Sequence, residues 1–376
     1  MPGTKRKGKN DAWYLEVTIT SGGNSQRFNK TFHGTEKQAE KALARFYADC
    51  EAGREKKGST MTISELCKEY RSEYAERYLK KSALRSTDTA IKHLLTDYSE
   101  KKVSKVTRLD AQKYINRLAD KGLSPKTVRN YYSVFRNIME FAVKLDIIPD
   151  TPCKFVTLPK KDSHEARYYT QEEVVSFLSA LDALPEDELH YKICMYIMLF
   201  GGLRKGEVLG LNWGDVDFDN RTVKICRTRQ IAPEIGVYED TPKTEKSNRV
   251  VSLPAEIFGM LKDLKAQQLE RKLLLQNKHV DSPAVIQGFE GDCLYPQVLQ
   301  RWFVNFCKKN DIKYIGLHGL RHTHASMLAS MGTDKMQLSR RLGHSQLSTT
   351  LNIYTHLFED TDKAIADDLS ALYIKK

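Results

Sequence analysis

In the first fifty residues, apolar and polar positions first alternate, as in the strands of a small sheet, and then repeat with the period of a helix. Residues 13–20 (WYLEVTIT) alternate and are rich in β-branched and aromatic side chains, which predicts a strand. A polar turn at 21–25 leads to a second predicted strand at 26–33. Thr35 is the expected N-cap of a helix that continues to about Ala52. The apolar face of that helix consists of Ala39, Ala42, Leu43 and Phe46.

A helical pattern occupies the next part of the chain, between two polar segments. The predicted helices cover roughly 62–80, 85–98, 108–121 and 124–145. In the last of them Ser124 is the expected N-cap and Pro125 occupies the first turn. Residues 53–59 (GREKKGS) form one predicted linker, and 148–162, with three prolines, form the second.

The pattern becomes mixed after Tyr168. Thr170 and Glu173 fit a capping box at a helix start. An apolar helix over 190–200 should end at the glycine pair Gly201-Gly202. A β-section is predicted from 216 to 253, with turns at 219–220 and 246–248, and the remainder is predicted to be helical.

These elements predict a multidomain chain of three modules. They are a small α+β domain at 1–58, an all-α domain with its linker at 59–165, and a mixed, mainly-α domain with a small antiparallel sheet at 166–376.

The positive charge lies entirely in the first two modules. The chain has 60 Lys+Arg and 48 Asp+Glu; the net charge is +5 over 1–58, +7 over 59–165 and zero over 166–376. A basic front half favours a polyanionic partner, most often nucleic acid. The alternative is that the many lysines only make these helices soluble.

Other composition features exclude several classes of protein. The longest apolar run, 193–203, has 11 residues, well below the roughly 20 of a membrane span. No apolar segment follows Lys5–Lys7, so a secretory signal is not expected. Seven cysteines without paired spacing predict reduced, mostly buried thiols in a cytoplasmic protein.

Three short motifs carry candidate chemistry. Arg204 and Glu207 lie three residues apart at a helix start, so the carboxylate can orient the guanidinium, unless the two form only a surface ion pair. His318, Arg321 and His322 share one helix face, while His324 lies on the apolar stripe and is expected to be a core histidine. No zinc site is predicted at His318 and His322, because neither the glutamate of a zincin nor a third ligand is evident.

Leu342-Gly343-His344 ends a short predicted helix, and Tyr354 follows on the next one, over 345–358. The periodicity alone makes Tyr354 a core tyrosine. The motifs in order nevertheless resemble those of the tyrosine recombinase (phage integrase) family: Gly202-Leu203-Arg204-x-Gly206-Glu207, His318-x-x-Arg321-His322, Leu342-Gly343-His344, and Tyr354 preceded by Thr349-Thr350 and followed by His356.

This resemblance implies catalytic roles for Arg204, His318, Arg321, His344 and Tyr354, with Glu207 as support. The family's hairpin lysine maps best onto Lys243, and Lys246 is the second candidate. The reaction it implies is DNA strand cleavage and rejoining through a 3′-phosphotyrosine, with neither a metal nor another cofactor. The C-terminal segment 355–376 would form a short helix that docks on a neighbouring subunit or on its own domain.

The resemblance also implies the role of each module and its partners. The first module would bind arm sites, with Arg27 and Lys30 as candidate DNA contacts; the second would bind core sites through Lys126, Arg129 and Arg136. The enzyme would integrate and excise a mobile element as a homotetramer on double-stranded DNA in a bacterial cytoplasm, associated with the nucleoid when bound. A host DNA-bending protein and an excisionase are possible partners; a membrane is not.

Two alternatives remain at this stage. A type IB topoisomerase-like enzyme would use the same nucleophile but relax DNA as a monomer. A non-catalytic regulator would use the helices around 336–342 and 348–357 as a helix-turn-helix.

Overall fold

The structure is a computed structural model that describes residues 3–8, 12–21, 24–51, 61–160, 167–232, 236–240 and 248–343. Its contacts divide the chain into two compact units, Met1–Ser163 and His164–Lys376. The first unit contains both the small sheet and the helical segment, and the boundaries of the three predicted modules stay a prediction.

The N-terminal sheet is antiparallel and has three strands in the order β1-β2-β3: β1 (Gly3–Lys7), β2 (Ala12–Ser21) and β3 (Asn24–His33). The two predicted strands are confirmed, whereas β1 was missed because its basic, polar sequence has no apolar alternation. Helix α1 (Glu36–Glu51) begins directly after Thr35, as predicted. It covers the sheet face that carries Trp13, Leu15 and Val17, whereas Tyr14 on the open face of the sheet is 55% exposed.

The helical segment consists of α2 (Ile63–Tyr70), α3 (Glu76–Tyr78), α4 (Lys81–Tyr98), α5 (Arg108–Asp120) and α6 (Pro125–Lys144). Capping boxes start α2 at Thr62 and α5 at Thr107, and the Ser124 side chain accepts from the Thr127 N–H at the start of α6. The predicted helix 62–80 contains a π-helical turn, Arg71–Ala75, between α2 and α3. Helix α4 starts four residues earlier than predicted, since Leu84 packs on the core of this segment.

The described part of the predicted second linker packs on the helical segment. Ile148 and Cys153 are buried in the core of the helical segment, and the Tyr132 hydroxyl donates to the Cys153 carbonyl. Gln112 exchanges two hydrogen bonds with the Thr157 backbone. The prolines prevent regular structure here, but they do not prevent packing.

The second unit surrounds one apolar helix. Its helices are α7 (Gln171–Asp182), α8 (Leu189–Gly201), α9 (Lys205–Leu209), α10 (Ala255–Leu275), α11 (Pro296–Lys309), α12 (Leu317–Ser330) and α13 (Lys335–Leu342). Helix α8 is apolar on all sides and therefore buried, with six side chains fully enclosed. The predicted capping box of Thr170 and Glu173 starts α7.

The predicted β-section of this unit is antiparallel, but among the described residues it forms two small sheets where one was predicted. One sheet has the order β4-β5-β8: β4 (Val216–Asp217), β5 (Thr222–Ile225) and β8 (Arg249–Ser252). The other is a hairpin of β6 (Thr228–Ala232) and β7 (Gly236–Asp240), in which Arg229 pairs with Glu239.

The expectation of helix throughout the remainder is wrong for 279–295. This stretch is irregular and is held by the isolated bridges Asn212↔Ala284 and Gln287↔Cys293. Pro283, Gly288 and Gly291 interrupt helical structure there. All seven cysteines are free and five are buried, as predicted. The described residues include no helix long and apolar enough to cross a membrane.

Candidate active site

A sharp turn between two helices brings Arg204 to the site. Helix α8 ends at Gly201, and the capping residue Gly202 has a left-handed backbone (φ +66°). Arg204 then occupies the N-cap position of α9. Glycine is required here because a Cβ on residue 202 would lie 2.5 Å from Cδ2 of His324. The predicted break at the glycine pair is confirmed.

Replacing Gly202 by alanine should therefore destabilise the protein. The left-handed backbone costs a non-glycine residue about 1–2 kcal/mol, and the clash with His324 adds about 1–3 kcal/mol. Gly332 is the matched control, because its φ is +75° and a Cβ there would meet nothing within 4 Å. In thermal denaturation Gly202→Ala should lower the midpoint clearly more than Gly332→Ala; equal shifts would contradict the close contact at Gly202.

A buried carboxylate binds two arginines beside this turn. Glu207 is 2% exposed, accepts from Nη1 of Arg204 at 2.7 Å and accepts from the Arg204 backbone N–H at 2.9 Å. Arg249 on β8 donates to the same carboxylate through Nη1 at 3.3 Å and Nη2 at 2.9 Å. The pair Arg204–Glu207 is thus not a surface ion pair, since its carboxylate is enclosed.

Electrostatics keep this carboxylate charged. Burial by itself raises the pKa of Glu207, but the hydrogen bond and charge of Arg249, together with those of Arg204, outweigh burial and lower the pKa to about 2. The carboxylate consequently orients both guanidinium groups throughout the neutral pH range.

Arg321 connects its own motif to the two others that the structure describes. Its side chain is 1% exposed, and its guanidinium donates to the Gly202 carbonyl at 2.7 Å and to the Leu342 carbonyl at 2.5 Å. These two carbonyls end α8 and α13, the helices that precede Arg204 and His344 in the chain. Motifs more than a hundred residues apart therefore meet at one arginine.

His318 lies on α12, one turn before Arg321. The pKa of His318 is lowered by burial first and then by the positive charges of Arg321 and Arg204. Its ring contacts that of His322, with the two centroids 4.7 Å apart, and burial together with His318 and Arg321 lowers the pKa of His322 to about 4. Both imidazoles are therefore neutral at pH 7, the form that accepts a proton.

His324 is a satisfied core histidine, as its position on the apolar stripe predicts. Its Nδ1 lies 2.8 Å from the Leu199 carbonyl, and Nε of Arg341 lies 3.1 Å from its Nε2. Because the carbonyl is an acceptor and the guanidinium a donor, the ring carries its proton on Nδ1. Burial and the charge of Arg341 lower its pKa to about 3, so the ring stays neutral.

The pattern analysis missed Arg249 and Arg341, which hold this constellation together. Arg249 also donates from Nε to the Arg341 carbonyl at 2.7 Å, and Arg341 donates to the Phe200 and Ser252 carbonyls. Nothing in the local pattern distinguishes either from the many other arginines of the chain. Lys243, Lys246, His344 and Tyr354, and the helices predicted after residue 344, lie outside the described residues.

The candidate DNA contacts of the first unit do not all share a surface. Arg27 pairs with Thr18 on the open face of the N-terminal sheet, whereas the Lys30 ammonium lies over the Phe46 ring of α1, 5.1 Å from its centroid. On α6, Lys126 and Arg136 are exposed, and Arg129 donates to the Pro159 carbonyl at 2.9 Å.

Comparisons with known proteins identify the family of this chain. Residues 167–360 match the model of the phage integrase family, and residues 60–158 match that of the phage integrase SAM-like domain. The first match covers more than half of the chain, which therefore belongs to the phage integrase family, the tyrosine recombinases of mobile elements, which cut and rejoin DNA.

Two relatives and one solved structure illustrate the similarity. The tyrosine recombinase XerC-like protein of Caldanaerobacter subterraneus is 26% identical, over 97% of this chain and 98% of that protein. The ICEBs1 integrase of Bacillus subtilis is 28% identical, over 75% of each chain. A Tn1549 transposon integrase, solved in complex with transposon right end DNA, has the same fold with a TM-score of 0.71 at 22% identity, over 82% of this chain and all of that chain. The fold is mainly helical with small antiparallel sheets.

Proposed function

We propose that Arg204 and Arg321 bind the phosphate that is cut, and that His344 adds a hydrogen bond to it. The observation that carries this proposal is the buried Arg321 guanidinium, which joins the ends of α8 and α13 beside the Arg204–Glu207 pair. A phosphodiester is anionic, and its transition state concentrates charge on the non-bridging oxygens. The planar fork of arginine matches such oxygens and stays charged.

In the proposed reaction Tyr354 is the nucleophile. Its oxygen forms a bond to phosphorus, the bond from phosphorus to the 5′-oxygen breaks, and a 3′-phosphotyrosine results. Neutral His318 accepts the tyrosine proton, a role supported by its lowered pKa. Lys243 gives a proton to the departing 5′-oxygen, with Lys246 as the other candidate. Rejoining reverses these steps with a 5′-hydroxyl of the partner strand, so the phosphotyrosine conserves the bond energy.

The DNA partners follow from this chemistry and from the distribution of charge. We assign 1–58 to arm-site binding, 59–165 to core-site binding and 166–376 to catalysis, in an enzyme that integrates and excises a mobile element. Exchange of four strands between two sites requires four active sites, hence a homotetramer on double-stranded DNA. A host DNA-bending protein and an excisionase are proposed accessory partners, and the segment 355–376 is proposed to dock in the assembly.

The two alternatives are less well supported. The extra basic module at 1–58 has no evident use in a monomeric topoisomerase, and a strand-joining assay on two duplexes separates the two activities. A helix-turn-helix regulator would need α13 as an accessible DNA-binding element. Leu338 and Leu342 of α13 instead pack on Ala325 in the domain core, and Arg341 is engaged with α8 and β8.

Trapping a covalent adduct tests the proposal directly. Incubated with a duplex that spans the end of its element, the protein should form a denaturant-resistant protein–DNA adduct in excess EDTA and without nucleotide, because phosphotyrosine chemistry needs neither. The adduct is measured by denaturing gel electrophoresis. Loss of the adduct on chelation, restored by added Mg²⁺, would show that the proposed mechanism is wrong.

Deleting residues 1–58 should separate two DNA-binding activities. The truncated protein is expected to form the covalent adduct at a core site with a rate within about threefold of that of the full chain, and to lose binding to separate accessory sites by at least about tenfold. The reason is the charge of +5 in this segment, ahead of a polar linker. Electrophoretic mobility shifts with the two DNA classes measure this; unchanged binding to both would contradict the assignment.

A further inference from the structure

The last turn of α13 receives two arginines at consecutive carbonyl groups. Arg249 on β8 donates from Nε to the Arg341 carbonyl at 2.7 Å. Arg321 on α12 donates to the next carbonyl, that of Leu342, at 2.5 Å. The last carbonyls of a helix have no partner within the helix, so donors from elsewhere satisfy them. The end of α13 is therefore an attachment point for both a strand and a helix of this unit.

Arg249 extends this attachment to Arg204. Its side chain is 7% exposed, and it binds the Glu207 carboxylate through Nη1 and Nη2, at 3.3 and 2.9 Å. The same carboxylate accepts from Nη1 of Arg204 at 2.7 Å. Arg204 is consequently joined to the end of α13 through two buried side chains, whereas Arg321 is joined to it directly.

A second observation, independent of these hydrogen bonds, is the small space around the Arg249 guanidinium. Gly343 follows α13 with a left-handed backbone (φ +65°), and a Cβ there would lie 2.8 Å from Nη1 of Arg249 and 3.2 Å from its Cζ. The guanidinium thus packs directly on the backbone at the end of α13, where a larger residue would displace it.

The charge of Arg249 also determines the ionisation of the carboxylate. Among the described residues, the charged and titratable groups that face Glu207 are Arg204, Arg249 and, on α12, His318. Burial raises the pKa of Glu207, and the hydrogen bond and charge of Arg249 are the largest effects that lower it, ahead of those of Arg204. Without Arg249 this pKa would rise, because Arg204 alone would then offset burial.

We propose that Arg249 is a positioning residue that fixes Arg204 to the end of α13 through Glu207, so that both arginines of the phosphate site share one support. The inference rests on the proposed function, in which Arg204 and Arg321 bind the phosphate together. Two groups that bind one phosphate must keep their relative position, and a misplacement of about 1 Å can cost about 10²-fold in rate. Arg249 touches no reacting atom, because Glu207 lies between it and Arg204.

A double-mutant cycle tests whether Arg249 acts through Glu207. Arg249→Met should slow single-turnover cleavage of a core site by about 10- to 100-fold, with DNA affinity within about threefold of the wild type. In a Glu207→Gln background, where the connection to Arg204 is already broken, the same change should slow cleavage by less than about threefold further. Denaturing gels measure the covalent adduct, and mobility shifts measure the affinity.

The pH dependence of cleavage provides a readout that a loss of stability would not change. In the wild type Glu207, with a pKa of about 2, is ionised throughout the working pH range. In Arg249→Met the rate should fall on the acid side at a higher pH than in the wild type, because protonated Glu207 no longer orients Arg204. His318 titrates in every variant, so a difference between Arg249→Met and its combination with Glu207→Gln belongs to Glu207.

Arg229→Met is the matched control. Arg229 on β6 is 2% exposed and, like Arg249, binds a carboxylate and a main-chain carbonyl: Nη2 donates to Oε1 of Glu239 at 2.6 Å, and Nη1 donates to the Leu209 carbonyl at 2.8 Å. The change removes a similarly buried arginine but leaves Glu207 with both of its arginine partners. It should lower the midpoint of thermal denaturation and leave the pH profile of cleavage unchanged.

Arg249→Lys is a second variant, useful if Arg249→Met fails to fold. It keeps a positive charge beside Glu207 but lacks the fork that reaches the carboxylate and the α13 carbonyl together. It should keep the wild-type pH profile and slow cleavage by about threefold to tenfold. In the Glu207→Gln background this loss should shrink to less than about twofold.

Gly343→Ala tests the attachment at α13, because the added methyl would displace the Arg249 guanidinium. It should slow cleavage by at least about threefold, and by a clearly smaller factor in Arg249→Met, where no guanidinium is displaced. The strain of the left-handed backbone is present in both backgrounds and cancels in this comparison.

Losses that nearly disappear in the Glu207→Gln background, with the acid shift confined to Arg249→Met, support the inference. If the Arg249 variants slow cleavage equally in both backgrounds, or Arg249→Met keeps the wild-type rate, the inference is overturned. An equal effect of Gly343→Ala with and without the guanidinium overturns the shared support at α13. Arg204→Ala, measured in parallel, separates these results from a failure of the proposed function: if it cleaves like the wild type, the phosphate role of Arg204 is wrong, and so is the inference that depends on it.

Discussion

Replacing Tyr354 by phenylalanine is expected to abolish the covalent protein–DNA adduct while leaving DNA affinity within about twofold. The substitution removes only the oxygen that is proposed as the nucleophile, and the arginines and lysines that are proposed to contact DNA remain. The loss of cleavage should be at least about 10³-fold, since no other group can replace a covalent nucleophile. Denaturing gels measure the adduct, and mobility shifts measure the affinity.

Tyr295→Phe is the matched control, because it removes the same oxygen from a half-exposed tyrosine of the same unit. It should form the adduct at the wild-type rate. If the Tyr354→Phe protein still forms an adduct that survives denaturation, another residue is the nucleophile and the assignment of Tyr354 is wrong.

Arg204→Lys should also lose most of the activity, even though the charge is kept. Lysine has no planar fork, so it cannot bind two phosphate oxygens and Glu207 in the geometry of the guanidinium. Removing one preorganised donor from such a site typically costs about 10²–10³-fold in rate. Single-turnover cleavage of a core site measures this loss. A substrate with a 5′-bridging phosphorothiolate, whose sulfur leaving group needs no protonation, should not restore the rate, because the defect lies at the phosphate.

The control for this change is Arg301→Lys, which makes the same replacement on the exposed surface of α11. It should cleave like the wild type. An Arg204→Lys protein with more than about a third of the wild-type rate would show that charge alone suffices at this position, and the bidentate role would then be wrong.

Much of the secondary structure was predictable because its signals are local. A capping residue satisfies N–H groups of its own helix, so Thr170 and Ser124 mark helix starts that the structure confirms. The glycine pair at the end of α8 likewise marks a turn, in which Gly202 has the left-handed backbone that only glycine adopts at little cost. Strand β1 and the early start of α4 were not predicted, because pairing with β2 and packing of Leu84 on the core decide them. Neither contact shows in the local pattern of apolar positions.

In the candidate site, too, local features were predictable and contacts between distant parts of the chain were not. Arg204 and Glu207, and likewise His318 and Arg321, are close in sequence, so helix geometry alone places each pair on one face. His324 was correctly expected in the core, because an apolar stripe points inward whatever its partner is. The structural roles of Arg229, Arg249 and Arg341 were not predicted. Their partners lie ten to more than a hundred residues away, and the neighbouring sequence gives no sign of these contacts.

The sequence by itself was enough to identify the family: the ordered motifs resemble those of the tyrosine recombinases, and the family match confirms the resemblance. The charge distribution likewise separates a basic front part from a neutral remainder. Only the tertiary structure decided which charges are buried and what they bind. Glu207 is 2% exposed and keeps its charge because Arg249, 42 residues further along the chain, donates to it from β8. Arg321 donates to the Gly202 and Leu342 carbonyls, which are 119 and 21 residues away in sequence. A buried charge is tolerated only where partners surround it, and the fold supplies those partners.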